Sequence, residues 1–317
     1  SGVTTIRGVG DFQYSDVRVR DMINSGKMLG PRLIVSGPAI TVPGGHGDGT
    51  FAITGATIEE LKEKVRLNKS KGVDFIKICV TGGVMDATKK GEPGILRMSL
   101  EETKAICEEA HKNGFIVASH TESSEGVKVD LLGRVDTVEH GSKLDDELID
   151  LFIKNNSKLI CTISPAIPLA KLSSDLTLLD ELSTFNSNVV LEGIISGAKT
   201  CIAKDIPVGL GTDASCPFVT QYNMWRELCY FAKYVGVSNS FAIHSATLGN
   251  AKILGIDRIT GSIEKGKSAD IIVTEENPLL DLNALRYVEK VICRGNLIEN
   301  PKIKKNKMID NALDNLN

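Results

Sequence analysis

The stretch VDFIKICVTGG, residues 73–83, decides the fold class. Its apolar residues run from Phe75 to Val80 with one interruption, Lys77, which is the pattern of a strand buried on both faces. Strands of this kind belong to the parallel sheets of α/β proteins. A bare buried ammonium would cost more than the strand gains, so Lys77 must leave the strand, have a partner or be modified.

Strand-like runs alternate with helical segments along the first 256 residues. The runs are residues 3–9, 32–40, 74–82, 115–121, 136–141, 158–164 and 206–213. The helical candidates are residues 16–26, 57–72, 99–113, 124–133, 145–156, 188–205, 220–235 and 239–254. This alternation predicts an α/β protein with a parallel sheet and helices outside it. An open doubly wound sheet is disfavoured because no G-x-G-x-x-G opens a helix after any run.

We therefore expect residues 1–256 to form a (β/α)8 TIM-type barrel without its first strand. A barrel of this type needs eight strands, and the sequence supplies seven runs, which would be strands 2 to 8. The sequence opens with SGVTTIRGV, without Met and directly in a strand-like run, so we expect a missing beginning. Residues 257–317 have short β runs with Gly and Asn turns. They are expected to form the C-terminal part of a small β-sandwich domain and a polar surface tail.

Composition limits the classes of partner and compartment. A net charge of −3 gives no basic surplus for nucleic acid. No apolar run reaches the roughly 18 residues that a membrane span needs. The seven cysteines are odd in number and form no C-x-x-C pair, which predicts reduced thiols and a cytoplasmic protein.

Candidate metal ligands lie in or at the ends of these runs. His120 and His140 each end a run, Asp213 ends the last one, and Lys77 lies within a third. The carboxyl ends of parallel barrel strands meet at one face, where active sites lie. Two imidazoles and a carboxylate suit a Zn²⁺-like ion, and Mn, Co or Fe fit the same donors. A single histidine at a strand end is more often a hydrogen-bonded structural residue, whereas two histidines and an aspartate at three strand ends favour a metal site.

Lys77 has two interpretations that the spacing leaves equal. Burial lowers the pKa of a lysine and supplies a neutral amine, which can react with CO₂ to give an anionic carbamate. A carbamate can bridge two metal ions. The alternative is an ion pair between Lys77 and a carboxylate inside the barrel.

Taken together, these residues resemble the amidohydrolase superfamily. Within it, the sequence is most similar to the binuclear metal-dependent peptidases, namely Xaa-Pro dipeptidases and zinc-dependent arginine carboxypeptidases, which are related to imidazolonepropionases. The resemblance runs from residue 1 to about residue 297. It rests on the order Lys77, His120, His140, Asp213 and on the stretches GVTTIRGVG, GPAITVPGGHGDG, IKICVTGGVM, VASHTES, VDTVEHG, IPVGLGTDAS and ATLGNAKILGI…GSIEKGKSADIIV.

The resemblance implies a role for each of these residues. Carboxylated Lys77 would bridge two divalent ions, expected to be zinc, and His120 and His140 would hold the second ion. Asp213 would bind the first ion and shuttle the proton of the bridging hydroxide, as a general base and then acid. The family's H-x-H motif, which binds the first ion, does not occur in this sequence. Residues 1–317 alone are therefore expected to be inactive.

The substrate signals are His46 and Glu122. The resemblance assigns His46, in TVPGGHGDG (41–49), to the carboxylate of the substrate. Related Xaa-Pro enzymes tend to carry Tyr two residues after the fifth-strand histidine, where this sequence has Glu122. A carboxylate attracts a guanidinium or ammonium group and repels a second carboxylate. The alternative is that Glu122 faces solvent or caps the following helix.

The expected activity is release of a C-terminal amino acid, Arg or Lys, from short peptides or N-acyl amino acids. Alternatives are an Xaa-Pro dipeptidase, a cyclic-amide hydrolase of the imidazolonepropionase type and, from another class, a solute-binding α/β protein without catalysis. The expected partners are the small substrate and further copies of the chain, because related enzymes often form oligomers. Nucleic acid and membrane are not expected.

Overall fold

Nine strands form two parallel sheets in the computed structural model, which describes residues 1–316. Asn317, the last residue of the predicted tail, lies outside the described residues. One sheet pairs β1 (Thr5–Gly8) with β2 (Arg32–Val35). The other has the order β4-β3-β5-β6-β7-β8-β9. Its strands are β3 (Ala39–Thr41), β4 (Ala52–Thr54), β5 (Ile76–Cys79), β6 (Val117–Thr121), β7 (Thr137–His140), β8 (Lys158–Cys161) and β9 (Val208–Leu210).

The predicted runs each contain a strand, with two differences. The run 32–40 is divided into β2 and β3 by the residues Ser36–Pro38, and β4 was not predicted. The run 158–164 ends as a strand at Cys161, because residues 163–164 open a helix instead. The amides of these two residues are bound by a buried carboxylate from a distant helix, which local sequence does not reveal.

The strands curve around a common interior. Arg7 on β1 reaches Glu139 on β7, with 2.6 Å between Nη2 and Oε2, although the two strands are not neighbours in either sheet. Arg7 Nη1 also donates to Thr137 Oγ1 at 3.1 Å. A flat sheet could not bring β1 opposite β7, so the sheet wraps as in a barrel wall.

Helices cover the outer side of this wall. They are α1 (Ser15–Asn24), α2 (Ile58–Ser70), α3 (Leu100–Lys112), α4 (Ser124–Gly133), α5 (Asp146–Asn155), α6 (Ile163–Lys171), α7 (Ser174–Thr177), α8 (Glu181–Ala203), α9 (Met224–Tyr230), α10 (Asn239–His244) and α11 (Asn250–Ile253). Short 3₁₀ turns lie at Phe12–Tyr14, Val84–Asp86 and Leu282–Arg286, and π turns at Phe231–Val235 and Ser245–Gly249. The start of α3 is a capping box, in which Ser99 accepts from the Glu102 amide and Glu102 accepts from the Ser99 amide.

The packing explains why Lys77 can lie inside an apolar strand. Ile76 and Ile78 are fully buried against the outer helices, in a cluster that includes Leu61 of α2 and Ile106 of α3. Side chains alternate along a strand, so Lys77 points to the opposite, enclosed side.

The C-terminal part has its own sheet and a final helix. β10 (Ile271–Thr274), β11 (Val288–Cys293) and β12 (Asn296–Glu299) are antiparallel in the order β10-β11-β12. That this sheet is part of a small β-sandwich domain remains a prediction. The tail is more than a surface segment, since its helix α12 (Lys307–Asp314) buries Asp310 and Leu313 against the rest of the chain.

Two expectations from composition can be compared with the structure. All seven cysteines are free, as predicted. No helix within residues 1–316 is at once long and apolar enough to pass through a lipid bilayer.

Candidate metal centre

The strand register brings two of the predicted site residues to one face. Cys79 on β5 pairs with His120 on β6, and His120 pairs with Glu139 on β7. Paired residues of neighbouring parallel strands share a face, and Lys77 lies two residues before Cys79 on that same face. Lys77 and His120 are therefore both directed into the interior, where they are 3% and 7% exposed.

His140 reaches the same interior by a local exception to strand alternation. It follows Glu139 directly and pairs with Thr121, so a regular strand would turn its ring outward. The backbone of His140 is instead left-handed, with φ of +67°. This uncommon conformation for a residue other than glycine redirects the ring toward His120, and the ring centroids lie 4.7 Å apart.

The two imidazoles and Glu122 form a cluster that fits a metal ion. One ligand atom from each of His120, Glu122 and His140 lies within 4.8 Å of the others. His140 Nδ1 is hydrogen-bonded to Thr162 Oγ1 at 2.6 Å, which leaves Nε2 as its free ring nitrogen. Glu122 Oε2 is inaccessible to solvent and has no hydrogen-bond partner among residues 1–316. A buried carboxylate oxygen without a donor is a position where a cation is expected.

Burial sets the protonation state of the histidines. It lowers the pKa of His140 to about 4 and that of His120 well below its ordinary value. Neutral imidazoles are the form that binds metal ions. Burial, reinforced by the charge of Asp213, raises the pKa of Glu122 to about 8, so its carboxylate needs a cation to be ionised at neutral pH.

Lys77 does not form the ion pair that was the alternative to a carbamate. Within the described chain, its Nζ makes no hydrogen bond and no salt bridge, and Glu139 is instead bound by Arg7. Burial lowers the pKa of Lys77, against the opposing charge of Glu139. The amine is thus pushed toward the neutral form that carbamate formation requires.

Asp213 lies beyond β9 in a loop with strained backbone. Asp213, Ser215 and Phe218 all have left-handed φ, at +51°, +102° and +65°. Cys216 Sγ donates to Asp213 Oδ2 at 3.1 Å, so the other carboxylate oxygen remains available. Residues held in such conformations cluster at functional sites because the surrounding structure fixes them.

His46 also lies at this centre. Its ring stacks on that of His120 with the planes 3° apart and the centroids 4.1 Å apart. Its Nδ1 contacts Asp86 Oδ2 at 2.5 Å, and this bond lowers the pKa of Asp86. Gly83 lies next to His46 and Glu122. A Cβ at this residue would be 3.3 Å from both His46 Cε1 and Glu122 Oε2. A side chain at residue 83 would therefore crowd the centre.

The sequence did not reveal the residues that support these groups. Asp86, Thr162 and Cys216 contact His46, His140 and Asp213 respectively. Asp86 follows the Gly-Gly pair after β5, and that proximity was the one local signal for it. Thr162 and Cys216 have no motif, and only the folded chain brings them into contact.

Neutral imidazoles and carboxylates at the carboxyl ends of parallel strands, with a buried lysine inside β5, are an arrangement typical of a metal-dependent hydrolase. Comparison with known proteins agrees with this class. The chain belongs to the amidohydrolase family, whose model matches residues 1–298.

Individual relatives cover most of the chain. A solved structure of a putative prolidase from Bifidobacterium longum is 44% identical, with a TM-score of 0.92, over 99% of this chain and 77% of that one. A Xaa-Pro dipeptidase structure with methionine bound in its active site is 34% identical, with a TM-score of 0.84, over 94% of this chain and 75% of that one. Ochratoxinase of Aspergillus niger is 26% identical over 96% of this chain and 67% of its own length.

Proposed function

We propose that this chain forms the metal-binding part of a hydrolase that releases the C-terminal residue of short peptides or N-acyl amino acids. The observation that carries the proposal is the cluster of the buried His120 and His140 with the half-buried Glu122, together with the buried Lys77, which has no ion-pair partner among residues 1–316. The likeness to a Xaa-Pro dipeptidase supports an amide bond next to a terminal amino acid.

The residues present fit the divalent ions that the family implies. His120 and His140 would hold the second ion, Asp213 would bind the first, and carboxylated Lys77 would be shared by the two. When bound, such ions lower the pKa of a water molecule and polarise a carbonyl. We propose zinc as the metal, because nitrogen and oxygen donors at a buried site suit it.

The protein's own groups would move the proton. Asp213 would accept a proton on its free carboxylate oxygen and return it to the leaving nitrogen. The thiol of Cys216 holds the other oxygen and so fixes the direction of the carboxylate. His46, held by Asp86, would meet the carboxylate of the substrate.

We propose that Glu122 directs the preference toward Arg or Lys at the released position. In the catalytically active protein, Glu122→Gln should lower the ratio of kcat/KM for Arg over Leu substrates by about tenfold or more, or about 1.4 kcal/mol, because a neutral amide no longer attracts a guanidinium. The measurement is a panel of N-acyl amino acids and dipeptides ending in Arg, Lys, Pro, Leu and Asp. Glu125→Gln, an exposed glutamate on α4, is the matched control.

The same panel tests the alternatives. A preference for Pro would favour the Xaa-Pro dipeptidase, which the two structural relatives support. Cleavage of cyclic amides alone would favour the imidazolonepropionase type. Loss of metal, with no change in the Arg to Leu ratio, would contradict the role of Glu122 in selectivity and make it a metal ligand.

A further strand with the H-x-H motif stays a prediction. Among residues 1–316, the parallel strands β1, β2, β4 and β9 each pair with a strand on one side only, which leaves four edges where such a strand could lie. We expect residues 1–317 alone to bind metal at His120 and His140 but to hydrolyse nothing on the panel. Turnover by this purified chain would contradict that expectation.

A further inference from the structure

Glu227 is a fully buried carboxylate that the proposed reaction does not use. It lies on α9, in the segment QYNMWREL (221–228), and is 0% exposed. Its Oε1 accepts from the amide of Ile163 at 2.8 Å, and its Oε2 accepts from the amide of Ser164 at 2.7 Å. These amides belong to the first turn of α6, which has no side-chain cap of its own. A carboxylate that accepts hydrogen bonds from the first amides of a helix stabilises the start of that helix.

The residue before these amides is the partner of a metal-ligand candidate. Thr162 is 4% exposed, and its hydroxyl contacts His140 Nδ1 at 2.6 Å. Thr162 joins β8 to α6, so its position depends on where the first turn of α6 is held. Glu227 holds that turn through its bonds to the amides of Ile163 and Ser164.

We propose that Glu227 is a positioning residue for metal binding, which acts through Thr162 to set the direction of the His140 ring. This inference rests on the proposed function, because it takes His140 as a metal ligand. Groups that hydrogen-bond a ligating histidine orient its ring, and their loss typically costs about 10- to 100-fold in metal affinity. A carboxylate that served the helix alone would stabilise the fold and leave metal affinity unchanged.

The test is a double-mutant cycle on metal binding by the 317-residue chain. Zn²⁺ dissociation constants are measured by competition with a chelator for the unaltered chain, Glu227→Gln, Thr162→Val and the double variant. The visible spectrum of bound Co²⁺ reports the ligand geometry, and the Tm of the metal-free protein reports the fold. Asp180→Asn is the control, since Asp180 caps α8 through the Ser183 amide at 2.7 Å and is not bonded to residues 162–164.

We expect each single variant to weaken Zn²⁺ binding about tenfold or more and to change the Co²⁺ spectrum. Because both act on the same ring, the double variant should bind within about twofold of the weaker single variant. Asp180→Asn should leave binding and spectrum unchanged. If Glu227→Gln does not fold, Glu227→Asp, whose shorter side chain cannot reach both amides equally, replaces it.

Two results would overturn the inference, and they are distinguishable. A lower Tm with unchanged Zn²⁺ affinity and Co²⁺ spectrum would make Glu227 a helix cap only, while the proposed function would stand. An unaltered chain that binds no Zn²⁺ would remove both this inference and the metal centre on which it rests.

Discussion

Lys77→Ala should abolish binding of the metal pair and lower kcat/KM of the catalytically active protein by about a thousandfold or more. The ions are expected to contribute several kcal/mol of transition-state stabilisation, and about 4 kcal/mol corresponds to that factor. Alanine removes the only lysine of β5, with which no side chain in the described part of the chain forms an ion pair. The measurements are metal content per chain and hydrolysis of the substrate panel.

Chemical rescue separates the two interpretations of Lys77. Propionate added to Lys77→Ala should restore part of the metal content and rate, because its carboxylate can replace the anionic end of a carbamate. Ethylamine should not, since it supplies a cation where an anion is needed. Rescue by ethylamine, or an unchanged metal content and rate in Lys77→Ala, would exclude the carbamate. Lys128→Ala, an exposed lysine on α4, is the control.

Asp213→Asn should lower kcat by about 10²- to 10⁴-fold, the usual contribution of a group that transfers a proton in the transition state. Asparagine keeps the shape of the side chain but cannot accept and return a proton. Since Asp213 is outside the cluster formed by His120, Glu122 and His140, we expect metal bound at that cluster to remain. Rates on the best substrate of the panel and metal content together check this expectation.

The control for Asp213 is its hydrogen-bond donor. Cys216→Ala removes the contact at 3.1 Å and leaves the carboxylate, so its effect on kcat should be less than about tenfold. If Asp213→Asn also kept its rate within tenfold of the unaltered protein, another group would have to move the proton.

Most of the parallel-strand framework could be predicted from the sequence because it depends on local patterns. Continuous apolar runs such as residues 74–82 report burial on both faces, and the seven predicted runs all contain strands. The errors lie where distant residues decide the conformation. The run 158–164 reads as one strand, but Glu227, more than 60 positions away, binds the amides at its end and starts α6 there.

The sequence allowed us to predict which residues form the site, but not how all of their side chains are directed. The inward direction of His120 and Lys77 could be predicted from the alternation of side chains along their strands. The same alternation would turn His140 outward, and its ring reaches the interior because its backbone is left-handed. The local sequence VEHG (138–141) does not by itself predict that conformation. Glu122 was expected to contact the substrate, but its closeness to both histidines depends on the folded chain.

The helix at the end of the chain gives α9 a second support. Arg226, 1% exposed and adjacent to Glu227, is paired with Asp314 of α12 at 2.6 Å, and Arg286 binds both oxygens of the same carboxylate. Leaving a buried guanidinium without its partner costs about 3–5 kcal/mol. Replacing α12 by an affinity tag, or trimming its last turn with a protease, would therefore disturb α9. This helix carries Glu227, through which we propose that Thr162 is held toward His140. Tags for purification belong elsewhere on this protein.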